Sequence, residues 1–470
     1  MSLKHILNSS VRFFVFQSKD MATMPELQAG YSTALLIDKL GMNPNLIRIQ
    51  SCYPYDKFYQ QMLPNLNLYP EQCYVFFLEN YYHSSSYVLK EFLHMLGKIK
   101  NKRVYIHSVK MSEHESKNLM QVAPHVEMII RTDLEHVIHQ ELMLNKPVNE
   151  IPNLTIRYRG DVINTAHEDV VYDLSDCIFP AYTNGKLLQE KDNVARIASF
   201  VDEDNERTDA KLIYRRPRSM QIESLYQQER FKSVMLTTGR GCKYKCSYCF
   251  RGVKYSSVRQ IPLDVIDADM TYLKSVGIWG IYFYDDCFVT TNKDRLDDVI
   301  ALMKKHNFMH YIALRYEACT PEILDKLSQV KYYQVQIGLQ SITHNSAHKR
   351  SFNHDKMVEA VKAFKQTGSA VSLDIILGLP GEGKEEFLKT LDYAISLQPA
   401  SIVVNTLFLN PGTELSKRFS EFGIRVNTNV GFNVPYIIDS NTFSQQDIHE
   451  CREHLKKLSD SLKHINFTIR

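Results

Sequence analysis

The chain has 470 residues, which is enough for two to four domains with sizeable cores. Its 56 lysines and arginines nearly balance 53 aspartates and glutamates, so the net charge of +3 gives no general attraction to nucleic acid or to an anionic membrane. No apolar run is long enough to span a membrane, and nine cysteines without disulfide-like spacing fit a reducing compartment. We therefore expect a cytoplasmic protein that binds neither membranes nor nucleic acid.

Residues 11 to about 145 alternate short apolar runs, typical of buried strands, with amphipathic helical patterns. The predicted strands are Val11–Phe16, Leu46–Gln50, Cys73–Leu78, Arg103–His107 and Val126–Arg131. The predicted helices are Gly30–Gly41, Ser84–Leu96, Glu113–Ala123 and Leu134–Leu144. This alternation predicts an α/β domain, a flavodoxin-like doubly wound sheet over residues 1–145. No G-x-G-x-x-G follows the first strand, so we do not expect a dinucleotide site.

Residues 146–230 are less regular, because prolines at 147, 152 and 180 interrupt the pattern and a charged run covers residues 202–207. We interpret this segment as a linker between two domains and the charged run as a solvated loop.

Three cysteines then follow an apolar run at the spacing C-x3-C-x2-C: Cys242, Cys246 and Cys249. Thiolates are the ligands of iron–sulfur clusters, and one short loop can bring three of them to a single cubane, leaving the fourth iron open. A zinc site would need a fourth Cys or His at regular spacing, and a disulfide would use only two of the three. The spacing therefore favours a 4Fe–4S cluster over both alternatives.

The form of this motif, with Tyr248 before the last cysteine, resembles the signature of the radical SAM superfamily. The resemblance implies S-adenosylmethionine (SAM) bound to the open iron and cleaved by one electron to methionine and a 5′-deoxyadenosyl radical. It also implies a reductant such as flavodoxin or ferredoxin. The other six cysteines are scattered along the chain, so we expect one cluster per chain.

Strand–helix alternation resumes at residue 231, and its predicted strands are Ser233–Leu236, Gly280–Phe283, Tyr311–Leu314, Tyr333–Ile337, Val371–Ile376 and Ser401–Thr406. Six such units predict the partial (β/α)6 barrel that the family resemblance implies, over residues 231–424. Chemistry in parallel barrels lies at the carboxyl ends of the strands, where the cysteine loop also falls. Residues 425–470 are predicted to be a short helical C-terminal tail with one amphipathic helix, Ser444 to about His464.

Several strand-end residues resemble the SAM-binding positions of that family. By this resemblance Tyr248 contacts adenine, Arg315 meets the SAM carboxylate, and Gln340 and Ser341 meet the ribose. Asp285, after the second barrel strand, is a candidate to bind either the SAM ammonium group or a donor group of the substrate. Gly378 belongs to a run, Asp374 to Glu382, that resembles the fifth-strand motif whose backbone pairs with adenine, where glycines permit close approach.

A flavodoxin-like domain before such a barrel resembles the cobalamin-dependent radical SAM class. The departures are the absence of an Asp-x-His-x-x-Gly motif and, after the fourth strand, the run His107 to Met111 in place of a glycine-rich turn. Large side chains there are expected to obstruct a corrin tail, so cobalamin is an alternative that we do not favour. His83 is a candidate axial ligand, but we interpret it as an ordinary loop histidine.

Two reactions remain open on the sequence. The favoured one is hydrogen abstraction from an unreactive C–H without cobalamin, for example epimerisation of residues in a ribosomally made peptide. Such a reaction needs a hydrogen-atom donor, and the candidate thiols are Cys287, Cys319 and Cys451, although a free cysteine is more often a small buried residue. The alternative is a cobalamin-dependent radical methyltransferase or ring-remodelling enzyme of natural-product biosynthesis. The substrate is then a peptide or a small molecule.

Overall fold

A computed structural model describes residues 2–15, 27–51, 67–78, 96–109, 111–169, 172–184, 233–251, 257–286, 288–289, 293–343, 349–410, 412–427 and 436–469. The chain divides into two compact units. The N-terminal unit comprises residues 1–203, 259–272 and 428–434, and the C-terminal unit comprises the remainder. Among the described residues, no helix combines the length and apolar character needed to cross a membrane.

The N-terminal unit contains a sheet of seven described strands in the order β2-β1-β3-β4-β5-β6-β7. The strands are β1 Val11–Val15, β2 Ile47–Ser51, β3 Cys73–Phe77, β4 Arg103–His107, β5 Val126–Ile130, β6 Leu154–Tyr158 and β7 Asp161–Asn164. The first five are parallel, and β6 and β7 extend the sheet antiparallel. The parallel order 2-1-3-4-5 is the doubly wound, flavodoxin-like order that the sequence predicts.

The helices of this unit are α1 Lys4–Leu7, α2 Leu27–Ala34, α3 Glu113–Val122 and α4 Leu134–Ile138. Helices α2 and α4 continue as π-helical segments, Leu35–Lys39 and His139–Met143, and 3-10 turns cover Pro44–Leu46 and Val148–Glu150. Most of the predicted helix Ser84–Leu96, together with His83, lies outside the described residues. The antiparallel pair β6–β7 lies beyond residue 145, where the sequence analysis ended the domain and began a linker.

Successive side chains along the strands of this unit point to opposite faces of the sheet, so each face has its own hydrophobic core. Phe13 of β1 and Val75 of β3 belong to one buried cluster, whereas their chain neighbours Phe14 and Phe76 belong to the other. Strands buried on both faces are typical of parallel sheets covered by helices on both sides, which explains why their sequences are nearly continuous apolar runs.

The C-terminal unit contains a second sheet, whose seven described strands are all parallel and follow the order β16-β13-β12-β11-β10-β9-β8. Its strands are β8 Ser233–Leu236, β9 Gly280–Phe283, β10 Met309–Leu314, β11 Tyr332–Gln340, β12 Ala370–Leu377, β13 Ser401–Thr406 and β16 Asn466–Ile469. A separate antiparallel pair consists of β14 Arg425–Asn427 and β15 Tyr436–Asp439. Two-residue strands cover Gly239–Arg240 and Arg259–Gln260.

The remaining helices are α5 Leu263–Ser275, α6 Lys293–His306, α7 Pro321–Ser328, α8 His354–Gln366, α9 Lys384–Ser396, α10 Glu414–Lys417 and α11 Gln445–Ser461, with 3-10 turns at Tyr316–Ala318 and Phe419–Phe422. All six predicted barrel strands are present. The C-terminal tail differs from the prediction, because beyond its helix it adds β16, which pairs in parallel with β13. The helix α11 is present as predicted, and its buried face carries Ile448, Cys451 and Leu455.

Candidate active site

The cysteine loop begins directly after β8, at the carboxyl end of a parallel strand, where the sequence analysis placed it. Cys242, Cys246 and Cys249 are all partly exposed. Gly241 has φ 102°, a left-handed conformation that favours glycine, so the turn into Cys242 depends on this residue. The described residues hold no group of three His, Cys, Asp or Glu side chains placed to share a single metal ion. Thiolates that bind three different irons of a cubane do not need to converge in that way.

Two neighbouring carboxylates at the end of β9 bind the backbone of this loop. Asp285 Oδ1 accepts hydrogen bonds from Thr238 N (2.9 Å), Thr238 Oγ1 (2.7 Å) and Gly239 N (2.9 Å). Asp286 accepts one from Gly241 N through Oδ2 (2.9 Å) and one from Arg251 Nη1 through Oδ1. Burial raises the pKa of Asp285 to about 7, against the effect of these donors. The sequence assigned Asp285 to the SAM ammonium group, and the structure shows one of its oxygens engaged with the loop.

The middle of the loop is held from the turn after β13. Asn410 Nδ2 donates to the Tyr248 carbonyl (3.1 Å), and Leu415 N donates to the Ser247 carbonyl (2.9 Å). Thr413 caps α10, accepting from Ser416 N at 3.1 Å, which fixes the first turn that carries Leu415. This turn therefore positions the backbone between the second and third cysteines.

Arg315 lies against the second cysteine. Its Nη1 is 3.1 Å from Cys246 Sγ, its guanidinium lies 4.2 Å from the ring centroid of Tyr244, and its Nη2 is 3.3 Å from Glu317 Oε1. A hydrogen bond to a ligating sulfur influences the reduction potential of an iron–sulfur cluster. The contacts of Arg315 in the structure are thus with the cluster loop and Glu317, and its predicted contact with the SAM carboxylate remains a prediction.

A residue that the sequence analysis did not single out completes this network. Arg350 makes a two-point ion pair with Glu317, with Nε–Oε1 2.6 Å and Nη2–Oε2 2.8 Å, and donates to the Gly338 carbonyl. Although burial acts against it, the hydrogen bonds of Glu317 raise the pKa of Arg350. Burial also raises the pKa of the Tyr248 phenol, and the positive charge of Arg350 acts in the opposite direction. Arg350 follows a segment without a recognisable motif, so only tertiary contact shows its place.

The residues matched to ribose and adenine contacts also have partners. Ser341 is buried and its Oγ donates to Glu382 Oε1, while burial raises the pKa of Glu382 to about 7. Gln340 has φ 66°, and its side chain folds back over Gly338, where a Cβ would lie 2.6 Å from its Nε2. Gly378 has φ 91°, and a Cβ there would lie 2.8 Å from Ile437 Cγ2, so its glycine is required by packing against β15.

The three candidate hydrogen-atom donors are not brought together in the described residues. Cys319 is buried, and burial raises the pKa of its thiol to about 12. Cys451 is buried on the packed face of α11, and burial raises its thiol pKa to about 11. Cys287 lies outside the described residues. The donor role stays a prediction, and the burial of Cys319 and Cys451 is what ordinary core cysteines show.

In the N-terminal unit, polar side chains gather after β4 and β5, at the carboxyl edge of the sheet. Asp133, fully buried, accepts hydrogen bonds at Oδ2 from Arg259 Nη1 (2.8 Å) and Tyr172 OH (2.6 Å). His136 stacks on Tyr172 with ring centroids 3.5 Å apart, and burial lowers the pKa of His136 to about 4. Buried ion pairs of this kind require well-formed hydrogen bonds, which Asp133 has.

Other buried hydroxyls of this unit have no hydrogen-bond partner among the described residues. They are Ser32 Oγ and Thr33 Oγ1 on α2 and Ser108 Oγ directly after β4, and all three residues are 0% exposed. A buried hydroxyl without a partner is unfavourable by about 1–3 kcal/mol, so such groups in a native protein point to a missing ligand or water.

The side chains of the run His107 to Met111, at the end of β4, are placed differently from the expectation. His107 is fully buried, its Nε2 lies 2.8 Å from the Thr132 carbonyl oxygen, and its ring packs on Phe77. Met111 is buried in one of the two cores, and Lys110 lies outside the described residues. The side chains of His107 and Met111 were expected to obstruct a corrin tail, but both point into the protein. Neither side chain is therefore exposed at the strand end, as the expected obstruction had assumed.

Comparison with known proteins bears on both units. The profile of the Radical SAM superfamily matches residues 236–394, from the end of β8 into α9. This range includes the three cysteines, Arg315, Ser341 and Gly378. The chain carries a radical SAM domain. Such a domain implies a 4Fe–4S cluster and SAM as cofactors.

An uncharacterised protein of Methanocaldococcus jannaschii is 26% identical over 220 residues, which cover 42% of this chain and 67% of that protein. The next two curated relatives are matched over 42% and 40% of their own length.

Two solved structures share the fold of this chain over nearly all of its length. The methyltransferase TsrM of Kitasatospora setae, solved with cobalamin and a [4Fe-4S] cluster bound, is 13% identical with a TM-score of 0.68, covering 98% of this chain and 93% of that one. The cobalamin-dependent radical enzyme OxsB, solved with aqua-cobalamin bound, has a TM-score of 0.64 at 13% identity, covering 97% of this chain and 68% of that one. At this identity the likeness establishes the fold, with a cobalamin-binding-like N-terminal region.

Proposed function

We propose that this radical SAM enzyme is cobalamin-dependent and modifies a small-molecule or peptide substrate, as a methyltransferase or a ring-remodelling enzyme. The observation that carries the proposal is a set of buried hydroxyls in a flavodoxin-like unit, Ser32, Thr33 and Ser108, for which the described part of the chain offers no hydrogen-bond partner. Open α/β sheets bind ligands at the carboxyl ends of their strands, where Ser108 lies. The fold shared with TsrM and OxsB supports the same proposal.

The buried hydroxyls of the N-terminal unit lie beside apolar side chains. Helix α2, which carries Ser32 and Thr33, and helix α4 contribute to one apolar cluster, which includes Ala29, Leu36 and Leu134. Fully buried hydroxyls beside such a cluster suit a ligand that has both apolar and hydrogen-bonding groups, as the corrin and its side chains do. His107 and Met111 are both buried, so neither presents an exposed side chain at this strand end.

The C-terminal unit would hold the other two cofactors. Cys242, Cys246 and Cys249 would ligate three irons of the cluster. Arg315 would place a positive charge beside the Cys246 thiolate, and Glu317 would pair with Arg315. When bound, the cluster supplies one electron for SAM cleavage, and cobalamin supplies a cobalt centre able to carry a methyl group. The chain's own contribution is to position the loop that carries the three thiolates.

Peptide epimerisation, which the sequence alone favoured, has weaker support. It needs a thiol that can reach the substrate, and the two described candidates, Cys319 and Cys451, are each 1% exposed. A buried thiol with a raised pKa is typical of packing.

Corrin retention tests the proposal. The protein is reconstituted anaerobically with iron, sulfide and hydroxocobalamin, passed through a desalting column, and assayed by visible spectrum and cobalt content. We expect about one corrin per chain. Thr33→Val and Ser108→Ala should each weaken corrin binding by about threefold to tenfold, because each removes a neutral hydrogen bond to the ligand.

Thr165→Val is the matched control for Thr33→Val, because Thr165 is also buried in this unit but its hydroxyl accepts from Leu154 N at 2.9 Å. This variant should lose stability and keep its corrin affinity. A wild-type protein that retains no corrin, while it carries a full cluster and cleaves SAM, would contradict the cobalamin proposal and leave the radical SAM assignment intact.

A further inference from the structure

The segment that carries the three cysteines is hydrogen-bonded on both sides of these cysteines to two neighbouring residues, Asp285 and Asp286. Asp286 binds Gly241 N, immediately before Cys242, and the Arg251 side chain, two residues after Cys249. Its neighbour Asp285 binds the backbone of Thr238 and Gly239, where the loop leaves β8. Two adjacent carboxylates therefore hold the loop on both sides of its ligands.

The chemistry of these contacts makes them strong and directional. Hydrogen bonds from backbone N–H groups or a guanidinium to a carboxylate are charge-assisted, and they are about twice as strong as neutral ones. Arg251 also packs its guanidinium 5.0 Å from the ring centroid of Tyr284 and 5.6 Å from that of Phe250. The guanidinium that pairs with Asp286 therefore also makes cation–π contacts with two aromatic rings.

The same contacts fix the backbone where the loop leaves β8 and turns into Cys242. Gly241, at φ 102°, turns the chain at the point where Asp286 accepts its N–H. Arg295 Nη2 donates to the Thr238 carbonyl at 3.1 Å, so Thr238 is held through both its N–H and its carbonyl. These contacts exist among the protein's own groups, without any contribution from a cluster.

We infer that Asp285 and Asp286 form a clasp that holds the cluster-binding loop in its ligating conformation before the cluster arrives. They are positioning residues, because they act through the loop backbone and Arg251. The inference rests on the radical SAM domain, which requires the three thiolates, and is independent of cobalamin. It gives Asp285 a different role from the SAM contact that the sequence predicts.

Hydrogen exchange on the full chain without cluster tests the clasp directly. The amides of Thr238, Gly239 and Gly241 should exchange slowly in the apo wild-type protein. Asp286→Ala should accelerate exchange at Gly241 by about tenfold or more, and Asp285→Ala should do the same at Thr238 and Gly239, because each amide loses a charge-assisted acceptor. Exchange in the strands β12 and β13 should stay unchanged in both variants.

The second measurement is loss of iron to a chelator from the reconstituted protein, followed by absorbance. Asp286→Ala should release iron about tenfold faster than wild type or more. Asp286→Asn keeps an acceptor for Gly241 but loses the ion pair with Arg251, so it should keep slow exchange at Gly241 and still release iron faster. Asp297→Asn, whose exposed carboxylate pairs only with Lys326 among the described residues, is the matched control and should behave as wild type.

Wild-type exchange at Gly241 together with wild-type iron release in Asp286→Ala would overturn the inference. If Asp286→Ala does not fold, Asp286→Asn decides alone, and iron release at the wild-type rate would then overturn it. Neither outcome depends on corrin binding, so failure of the clasp and failure of the cobalamin proposal are observed separately.

Discussion

The two seven-stranded sheets of this protein differ in how the polar groups near the carboxyl ends of their parallel strands are paired. In the C-terminal unit the carboxylates pair with the cluster loop or with arginines, as Asp286 does with Gly241 and Arg251 and as Glu317 does with Arg350. In the N-terminal unit Asp133 is paired in the same way, but the Ser108 hydroxyl at this edge, and those of Ser32 and Thr33 on helix α2, lack partners among the described residues.

This difference separates a site that is organised in advance from one that keeps hydrogen-bonding capacity for a ligand. Preorganisation suits three thiolates that must bind three irons together, since a loop ordered in advance loses less entropy on binding. Buried hydroxyls without partners reduce the stability of the free protein, and the ligand that satisfies them restores that free energy.

The largest effect is expected at the organised site. Cys249→Ala should abolish both the visible absorbance of the cluster and the formation of 5′-deoxyadenosine from SAM. The same is expected of Cys242→Ala and Cys246→Ala. Cys177→Ala, which removes a buried cysteine of the N-terminal unit, is the control and should keep both. SAM cleavage by the Cys249→Ala protein would contradict the assignment of the cluster ligands.

Arg315→Ala should come next. Loss of the contact with Cys246 Sγ removes a positive charge and a donor beside the cluster, so the reduction potential should become more negative. If Arg315 also reaches the SAM carboxylate, as the sequence predicts, SAM affinity should fall about tenfold or more, since a charge-assisted pair contributes about 1.5–3 kcal/mol. A redox titration followed by EPR and a SAM-binding titration separate the two effects. An unchanged potential would show that the Cys246 contact has no electrostatic consequence.

The pH dependence of stability should identify Glu382. Burial raises its pKa to about 7, so the folded protein keeps a proton that the unfolded chain loses near pH 4.5. Its contribution to stability is present at low pH and is lost as the pH rises from about 4.5 to 7, with a slope of at most about 1.4 kcal/mol per pH unit. Denaturant melts at several pH values should show Glu382→Gln gaining stability relative to wild type as pH rises. Parallel curves for the two proteins would contradict the raised pKa.

The smallest expected effect compares two buried threonines of the N-terminal unit. Without corrin, Thr33→Val should leave the free energy of unfolding unchanged or raise it by about 1 kcal/mol, because it removes an unpaired hydroxyl and Val matches Thr in helix propensity. Thr165→Val should lower it by about 1–3 kcal/mol, because Leu154 N then loses its acceptor. Equal losses in both variants would mean that the Thr33 hydroxyl has a partner.

Local pattern was sufficient for much of the fold and for a definite prediction of the cluster ligands. Strand positions followed from apolar runs buried on both faces, and Arg103–His107, Gly280–Phe283 and Ser401–Thr406 match their predicted bounds. The cysteine spacing predicts the ligands because the three residues lie within one short loop. These features depend on neighbours in the chain, and the sequence shows such neighbours directly.

Only the tertiary structure decided how distant residues combine. β16, at the end of the chain, pairs with β13 across about sixty residues, and periodicity cannot show such a pairing. Asp285 and Asp286 end a strand as the sequence indicates, but their bond partners lie more than thirty residues away. His107 and Met111 looked obstructive in the sequence and are packed inward, because the direction of a side chain follows from the strands and helices around it.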